Sequence, residues 1–471
     1  MRALTLADLV EGMSGARPAG GTVPVHPVID SRQADAGAVF FAFRGEQVDG
    51  HTFVGDALRR GAVAAVIDEA VDLDVPLVDL RAGLPPTFPA PPCLLRVDDV
   101  LAAMQRAAAF WRRQFDVRVI GITGSVGKTT TKETTARLLA QRYRVLKTEG
   151  SQNNEIGLPL TLLHLTEAHE RVVLEMGMYT RGEIRELAAM ALPQVGVVTN
   201  VEPVHAERAG SLEAIALAKR ELVEALPPAP EGVAVLNADD PRVRAMAGHT
   251  AARPFFYGLT PQADLWADEV ESLGLEGIRF RLHYGDEAVY LRAPLLGRHS
   301  VHTVLRAAAV ALIEGLGWEE IAKGLRENHA QLRLVAVRGP HGTLILDDTY
   351  NASPPSALAA LNVLEELEGG RKIAVLGDML ELGRYEEEGH LKVGCRAADV
   401  ADRLIAVGAR AHLLGRGARL CGMAAHRITE VVSPEEAVAL LREILQPGDV
   451  ILVKGSHALH MDRIVAALTG A

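Results

Sequence analysis

Short apolar runs alternate with helix-forming stretches along this 471-residue chain. In the first third, strand patterns cover residues 37–43 and 62–68, and helices are predicted at 57–61 and 97–113. Such alternation is typical of α/β proteins, in which helices cover a largely parallel sheet. The pattern therefore predicts an α/β fold from the first block onward.

In the middle third, three apolar runs are each followed by a polar side chain. Run 172–174 leads to Glu175, run 195–198 leads to Asn200, and run 233–236 leads to Asn237. Open parallel sheets bind ligands at the carboxyl ends of their strands. We therefore predict a parallel-sheet domain with a ligand site at this edge.

The last third repeats the alternation. Its apolar runs are 344–346, 373–376, 404–407, 428–432 and 450–453. They predict a Rossmann-like, doubly wound parallel sheet. The block contains no G-x-G-x-x-G sequence, so a dinucleotide site is not supported there.

The length of the chain favours about three domains. The proline-rich stretch 84–92 is predicted to be an exposed loop, and the helix after it leads into the strand of the middle block. We place the domains at residues 1–114, 115–332 and 333–471.

Composition excludes several classes of protein. The net charge is −11, with 49 Lys and Arg against 60 Asp and Glu, which argues against a nucleic-acid partner. No apolar stretch is long enough to span a membrane, and the N-terminus lacks the apolar core of a signal peptide. Cys93, Cys395 and Cys421 show no CxxC spacing and are expected to be thiols. We expect a cytoplasmic protein that does not insert into membranes.

Residues 121–132, Gly-Ile-Thr-Gly-Ser-Val-Gly-Lys-Thr-Thr-Thr-Lys, carry the most specific chemical signal. They connect a predicted strand to a helix predicted over 133–143, and the amides and dipole at a helix start favour a bound phosphate. Lys128 adds a mobile charge, and the Thr129 hydroxyl suits Mg²⁺. The stretch departs from G-x-x-x-x-G-K-[ST] at Ile122, and its alternative is an ordinary glycine-rich turn. We predict a nucleoside triphosphate site.

Glu175 and Lys219 suggest metal chemistry. Glu175 follows a strand beside the phosphate loop, where it is either a magnesium ligand or a solvated acid. Ser211 is a predicted N-cap for a helix to about residue 226, with Lys219 at the centre of its apolar face. That lysine either extends along the face to solvent or reacts with carbon dioxide to form an anionic carbamate suited to Mg²⁺.

Other polar positions after strands are ambiguous by spacing alone. His205 is a lone loop histidine, which is usually exposed. Asp347 and Asp348 could hold ribose hydroxyls or a metal, or could simply solvate a loop. Lys454 is a weaker candidate for contact with an anion.

Taken together, these motifs resemble the Mur ligases, the ATP-dependent amide-forming enzymes of peptidoglycan synthesis. The stretches at 347–354 and 377–383 are the most specific of them. The resemblance covers nearly the whole chain, in the family's order, at 30–32, 49–53, 121–132, 153–160, 175–177, 182–184, 205, 210–211, 218–219, 237–240, 297–299, 347–354, 377–383 and 454–456.

The resemblance implies that ATP activates the carboxylate of UDP-N-acetylmuramoyl-tripeptide as an acyl phosphate, which D-alanyl-D-alanine then attacks. Two Mg²⁺ ions are expected, and the enzyme is expected to act as a monomer. The sequence leaves three alternatives: a sibling ligase that adds the third peptide residue, a folylpolyglutamate-type synthetase, or a nucleotide switch that makes no amide.

The resemblance also implies a role for each matching position. The implied catalytic residues are Lys128, Glu175, His205 and Lys219. The implied nucleotide ligands are Gly124, Ser125, Gly127, Lys128, Thr129, Thr130, Arg333 and Asp347. Thr129 and Glu175 would hold one Mg²⁺, and His205 and a carbamylated Lys219 the other. The implied substrate contacts are Ser31 and Arg32 for the UDP end, Asn153, Asn154, and Asn351 for the dipeptide.

Four positions depart from the family's usual residues. Ser151 and Ser353 stand where Asn is usual, and Glu202 stands where Gly is usual. Thr303 replaces an Asn that contacts adenine, so it affects the expected basis of adenine selection most directly.

Overall fold

The computed structural model of the protein describes residues 2–45, 48–204, 206–327 and 334–470. Within these ranges the strands form three sheets of five, nine and six strands, one in each third of the chain. The predicted α/β class is confirmed, whereas the domain boundaries at 114/115 and 332/333 stay predictions. His205 and Arg333 lie outside the described residues. Each described helix is too short or too polar to cross a membrane.

The N-terminal sheet is parallel throughout. Its elements are α1 (Leu6–Ser14), β1 (His26–Val28), β2 (Ala38–Phe41), α2 (Val54–Arg59), β3 (Ala64–Ile67), β4 (Leu77–Asp79), β5 (Cys93–Arg96) and α3 (Val100–Arg112). The strand order is β1-β2-β3-β5-β4. The two predicted strands are present, α2 begins earlier than predicted, and the stretch 84–92 contains no helix or strand, as expected.

Helix α3 joins the N-terminal domain to the central one. Its apolar face lies in a core shared by both domains. Trp111 is completely buried there, and its indole Nε1 donates a hydrogen bond to the Leu165 carbonyl at 2.9 Å. Arg112 Nε donates to the Ala191 carbonyl at 2.9 Å. These contacts hold the two domains together through both packing and hydrogen bonds.

The central sheet carries the phosphate loop. Its strands are β6 (Arg118–Thr123), β7 (Val145–Lys147), β8 (Arg171–Glu175), β9 (Val195–Val198), β10 (Val233–Asn237), β11 (Arg253–Gly258), β12 (Leu265–Ser272), β13 (Ile278–Tyr284) and β14 (Glu287–Ala293). Its helices are α4 (Lys128–Leu139), α5 (Gly157–Leu163), α6 (Glu183–Ala191), α7 (Ala206–Ala209), α8 (Leu212–Glu224), α9 (Pro241–Ala245), α10 (Val301–Ile313) and α11 (Trp318–Arg326). The strand order is β14-β13-β12-β11-β10-β9-β6-β8-β7.

The predicted parallel arrangement holds from β7 through β12 and fails at the far edge. Strands β13 and β14 form an antiparallel hairpin that extends the sheet beyond β12. Its two-residue turn is Gly285-Asp286, with Gly285 at a φ of 57°. A glycine in this conformation is a standard hairpin signal.

The C-terminal sheet is parallel except for its first strand. Its elements are β15 (Val335–Arg338), β16 (Leu344–Asp348), α12 (Pro354–Glu366), β17 (Lys372–Gly377), α13 (Glu386–Val400), β18 (Arg403–Val407), α14 (Ala411–Leu420), β19 (Ile428–Val431), α15 (Pro434–Ile444), β20 (Val450–Lys454) and α16 (Asp462–Thr469). The order is β15-β16-β20-β17-β18-β19, with β15 antiparallel to β16. Separate apolar clusters cover its two faces, as a doubly wound sheet requires.

The thiol prediction was wrong for two of the three cysteines. Cys395 in α13 and Cys421, which follows α14, form a disulfide with their Cα atoms 5.1 Å apart. The two helices pack side by side, and the spacing of the cysteines in sequence does not reveal that contact. Cys93 is a buried thiol in β5, and burial raises its pKa to about 11.

We expect Trp111→Ala to lower the free energy of unfolding by about 3–5 kcal/mol, because it empties a buried site and leaves the Leu165 carbonyl without its donor. Urea unfolding followed by circular dichroism measures the change. Leu420→Ala is the control, since Leu420 is 71% exposed and its truncation should change stability by less than about 0.5 kcal/mol. Equal losses in the two variants would contradict the importance assigned to α3.

Candidate active site

A cleft of about 900 Å³ separates the central and C-terminal sheets. The carboxyl ends of β6, β8, β9 and β10 border one side, and those of β16 and β20 border the other. Glu175, Asn200 and Asn237, the polar residues predicted at strand ends, all line this cleft. It is therefore the place where the chemistry-bearing residues of both domains meet.

The strand-to-helix turn after β6 forms part of the central wall. Helix α4 begins at Lys128, earlier than predicted, with Gly127 as its N-cap at a φ of 84°. Gly124 has a φ of 144°, and a Cβ atom there would lie 1.8 Å from Thr199 Oγ1. Both the backbone conformation and the close approach require glycine at this point. The first turn of α4 consequently borders the cleft, where helix amides suit an anion.

The segment after β9 holds this turn in shape. The Asn200 carbonyl accepts a hydrogen bond from the Ser125 amide at 3.0 Å, and Asn200 Oδ1 accepts one from the Val126 amide at 2.8 Å. Thr199 Oγ1 donates to the Val126 carbonyl at 2.8 Å. The turn is thus fixed on both its amide and its carbonyl sides before any ligand binds.

Lys128 folds back over the turn that precedes it. Its Nζ donates to the Gly124 carbonyl at 2.9 Å and to the Ser125 carbonyl at 3.3 Å. Both acceptors are neutral, so a phosphate oxygen would be a stronger partner for the same ammonium. The side chain is already close to the position where a bound phosphate would need it.

Arg306 is a functional candidate that the sequence analysis missed. It is buried in α10 and donates from Nε to Thr131 Oγ1 at 2.9 Å and from Nη2 to Thr303 Oγ1 at 3.0 Å. Its Nη2 lies 3.0 Å from the point where a Cβ on Gly127 would be. An arginine inside an alanine- and valine-rich helix was the available signal. Thr303, which departs from the Mur pattern, therefore anchors Arg306 beside the phosphate loop.

Glu175 presents one oxygen whose hydrogen-bonding capacity is unused. The side chain is 1% exposed, and Oε1 accepts a hydrogen bond from Asn153 Nδ2 at 2.7 Å. Oε2 is buried without a hydrogen-bond partner among the described residues. A buried carboxylate oxygen in this state is unfavourable unless a cation approaches it. Together with the Thr129 hydroxyl in the same cleft, it fits the oxygen ligands that Mg²⁺ prefers.

A complete metal site is not visible in the part of the chain that the structure describes. Those residues contain no group of three or more His, Cys, Asp and Glu side chains arranged to hold a metal. Thr129 is not one of these residue types, and neither is Lys219. The predicted ligand His205 falls outside the described residues.

Lys219 is buried in the apolar face of α8. Ser211 caps this helix by accepting a hydrogen bond from the Ala214 amide at 3.1 Å, as predicted. Lys219 is only 2% exposed, and its ammonium makes no hydrogen bond or ion pair with the described residues. Burial, and then the charge of Lys128, hold the pKa of Lys219 well below its ordinary value. A lysine extending to solvent is therefore the wrong interpretation, and burial disfavours the charged form of the amine.

The C-terminal wall contains Asp348 and Asn351 but not Asp347. Asp347 Oδ1 accepts hydrogen bonds from the Thr349 amide at 3.1 Å and from Thr349 Oγ1 at 2.7 Å. Its side chain lines a smaller cavity of about 260 Å³. Asp347 is a predicted nucleotide ligand, but in this arrangement of the domains it does not border the cleft that contains the phosphate loop.

The remaining predicted residues divide between the cleft and the N-terminal domain. Ser125, Gly127, Thr129, Thr130, Asn153 and Asn154 border the cleft. Ser31 is buried in a short helical turn, and Arg32 is an exposed side chain that pairs with Asp30 at 2.7 Å. Neither borders the cleft, so their predicted contact with the UDP end is left untested.

Glu202, one of the departures from the family pattern, is tied to the phosphate loop through its backbone. Its carbonyl accepts a hydrogen bond from Ser125 Oγ at 2.9 Å, and its amide donates to the same oxygen at 2.9 Å. Burial, and then the nearby Asp240 carboxylate, raise the pKa of the Glu202 side chain. The added acid therefore lies where its charge is disfavoured.

Sequence profiles of one family match three consecutive parts of the chain. The profile described as Mur ligase family, catalytic domain matches residues 27–112. The Mur ligase middle domain matches residues 122–311, and the Mur ligase, glutamate ligase domain matches residues 332–457. The matches follow the same order as the three sheets.

Curated proteins and solved structures agree with these profiles over nearly the full length. The UDP-N-acetylmuramoyl-tripeptide–D-alanyl-D-alanine ligase of Bacillus subtilis is 35% identical, over 98% of this chain and 97% of its own. The crystal structure of MurF from Acinetobacter baumannii is 29% identical with a TM-score of 0.84, covering 99% of this chain and 98% of that one. MurF ligase from Thermotoga maritima in complex with ADP is 26% identical with a TM-score of 0.76, covering 94% and 97%. This chain belongs to the Mur ligase family.

Proposed function

We propose that this enzyme joins D-alanyl-D-alanine to UDP-N-acetylmuramoyl-tripeptide, with conversion of ATP to ADP and phosphate. The observation that carries the proposal is a preformed phosphate loop beside a buried carboxylate, facing a second domain across one cleft. Relatives that carry this activity in their names match the chain from end to end. The activity needs such a cleft, because it must bring a triphosphate, a carboxylate and an amine together.

The reaction has two balanced steps. An oxygen of the tripeptide carboxylate attacks the γ-phosphorus of ATP, the bond to the β–γ bridging oxygen breaks, and ADP leaves. The dipeptide amine then attacks the acyl phosphate carbonyl and loses a proton, and the carbon–oxygen bond to phosphate breaks. The products are the amide, ADP and inorganic phosphate.

The first step brings two anions together, and the residues of the central wall oppose their repulsion. The amides at the start of α4 and the ammonium of Lys128 would bind the phosphates. Arg306 supplies a further fixed positive charge behind Gly127. Thr129 and Glu175 would hold a magnesium ion, which when bound neutralises phosphate charge and aligns the reacting oxygens.

Lys219 is proposed to carry a carbamate. A buried, uncharged amine has the free electron pair that attacks carbon dioxide, and the product is an anionic carbamate with release of one proton. The anion would be a second oxygen ligand near the phosphate loop, with His205 as its partner. Two magnesium ions are proposed on this basis.

The other domains are proposed to supply the ends of the substrates. Ser31 and Arg32 would hold the UDP end, Asn153 and Asn154 the adjoining part, and Asn351 the dipeptide. Asp347 would contact the nucleotide only after the C-terminal domain turned toward the loop, and Arg333 is proposed to act with it. A monomer in the cytoplasm, with domains at 1–114, 115–332 and 333–471, completes the proposal.

An assay of ADP release across a panel of substrates tests the function. The panel contains UDP-muramoyl-dipeptide, UDP-muramoyl-tripeptide and a folate, each with and without D-alanyl-D-alanine. ADP release that requires both the tripeptide and the dipeptide is the expected result. Release without any amine would favour a nucleotide switch, and a preference for the shorter peptide or the folate would favour a sibling enzyme.

We expect Lys128→Ala to lower kcat/KM for ligation by at least about 100-fold, because one of the cations that stabilise the transferred phosphoryl group is lost. Lys147→Ala is the matched control, since Lys147 pairs with Glu133 at 2.6 Å and does not border the cleft. Ligation by the Lys128 variant at near the wild-type rate would refute the role of this loop.

We expect Lys219→Ala to lose ligation by at least about 100-fold and to recover part of it with added formate or acetate, which replace the lost oxygen ligand. Labelled bicarbonate and ¹³C NMR provide an independent readout, since the wild type should give a carbamate signal that the variant lacks. Lys323→Ala removes an exposed lysine and should change neither readout. A wild-type protein without the carbamate signal would contradict the modification.

A further inference from the structure

Segment 454–456, Lys-Gly-Ser, occupies the centre of the C-terminal wall of the cleft. Lys454 is the last residue of β20, and Lys454 and Ser456 are 2% and 3% exposed. Two loops that line the cleft lie on either side of it, 348–353 and 380–382. The segment makes side-chain or backbone hydrogen bonds to both of these regions.

Lys454 holds the first loop. Asp348 and Lys454 face each other in the parallel register of β16 and β20, and Lys454 Nζ lies 2.5 Å from Asp348 Oδ2. The same Nζ donates to the Asn351 carbonyl at 2.9 Å. The Asp348 carboxylate neutralises the charge of Lys454, and the Asn351 carbonyl occupies a second donor position of its ammonium. Lys454 is therefore not available to bind an anion. Its contacts instead fix where Asn351 lies.

Ser456 holds the second loop. Its Oγ accepts a hydrogen bond from the Leu380 amide at 2.9 Å, and its amide donates to the Asp378 carbonyl at 3.0 Å. Gly455 allows the close approach, because a Cβ there would lie 3.2 Å from the Gly377 Cα. The segment therefore joins the two loops of the wall into one unit.

We propose that Lys454 and Ser456 are positioning residues that shape the site of the amine substrate. This inference rests on the proposed function. In that reaction the phosphate groups lie against the central wall, so the incoming amine reaches the acyl phosphate from the C-terminal wall. Lys454 acts through the Asp348–Asn351 loop and Ser456 through the 380–382 loop, and neither touches the reacting atoms.

The test is Lys454→Met, with steady-state kinetics for each substrate. We expect the KM for D-alanyl-D-alanine to rise about tenfold or more, since a small displacement of a positioning loop weakens the fit of the group it holds. The KM for ATP should change by less than about twofold, because the phosphate loop is built from other residues. Equal rises for both substrates, or no rise for the dipeptide, would overturn the proposal.

Arg371→Met is the matched control. Arg371 Nη2 pairs with the buried Asp449 Oδ2 at 2.8 Å, at the opposite end of β20 from Lys454. Its loss also leaves a buried carboxylate without its cation, so it reproduces the destabilisation of the domain but not the displacement of the loop. A rise in the dipeptide KM in this variant, comparable to that in Lys454→Met, would assign the effect to stability and refute positioning.

The double variant Asp348→Asn with Lys454→Gln separates positioning from direct binding of an anion, and covers the case in which Lys454→Met fails to fold. Neutral amides at both positions can restore a hydrogen bond between the strands without the charge. If Lys454 acts by positioning, the double variant should have a lower KM for D-alanyl-D-alanine than Lys454→Met. If Lys454→Met does not fold, the KM of the double variant should lie within about tenfold of the wild-type value. Direct contact between the Lys454 ammonium and a substrate carboxylate predicts no recovery.

Wild-type enzyme that makes no amide would refute the proposed function itself. Wild-type ligation with an unchanged KM for D-alanyl-D-alanine in the variants would refute only this inference.

Discussion

The close approach of the turn at Gly124 to Thr199 is the constraint on which the phosphate loop depends. The turn after β6 passes so near the end of β9 that even a methyl group at position 124 would overlap the threonine hydroxyl. This proximity lets Thr199 and Asn200 bind the amide and carbonyl groups of the loop directly. A loop held in this way needs little rearrangement when a phosphate binds, which preserves binding energy for the reaction.

Three buried ionisable side chains near the phosphate loop or the cleft are compensated in different ways. Lys454 has a permanent counter-charge in Asp348, at 2.5 Å. Glu175 has one oxygen bound by Asn153 and one with no hydrogen-bond donor among the described residues. Lys219 has no counter-charge among the described residues, and burial, followed by the charge of Lys128, lowers its pKa. A closed ion pair suits a structural role, whereas an unsatisfied oxygen and an uncompensated amine suit positions where a ligand supplies the missing partner.

The elements that sequence could predict are those whose burial leaves a simple pattern. Parallel strands covered on both faces appear as continuous apolar runs, and the polar residues that follow them then mark the edge of the cleft, as at Glu175 and Asn237. The edge hairpin is not among the continuous apolar runs, because its strand β13 alternates buried and part-exposed residues. That alternation is the period of a half-buried strand and was the available signal.

Other features depend on which distant segments pack together. Periodicity located Lys219 on the apolar face of α8, but whether its ammonium reached solvent was decided by what covers that face. Arg306 reaches Thr131 across 175 positions of sequence, and the Cys395–Cys421 disulfide depends on two helices lying side by side. No local pattern records such contacts, so the position of Arg306 beside the phosphate loop and the disulfide became evident only in the folded chain.

The two walls of the cleft are each held in shape by hydrogen bonds within their own domain. Asn200 and Thr199 fix the central wall, and segment 454–456 fixes the C-terminal one. A backbone hydrogen bond connects them where the Glu207 amide of α7 donates to the Glu381 carbonyl at 3.2 Å. Glu381 has a φ of 62°, a backbone conformation that costs energy for a residue other than glycine. The contacts around its loop maintain this conformation. A rotation of the C-terminal domain away from the central one would break this bond and leave the hydrogen bonds within each wall intact.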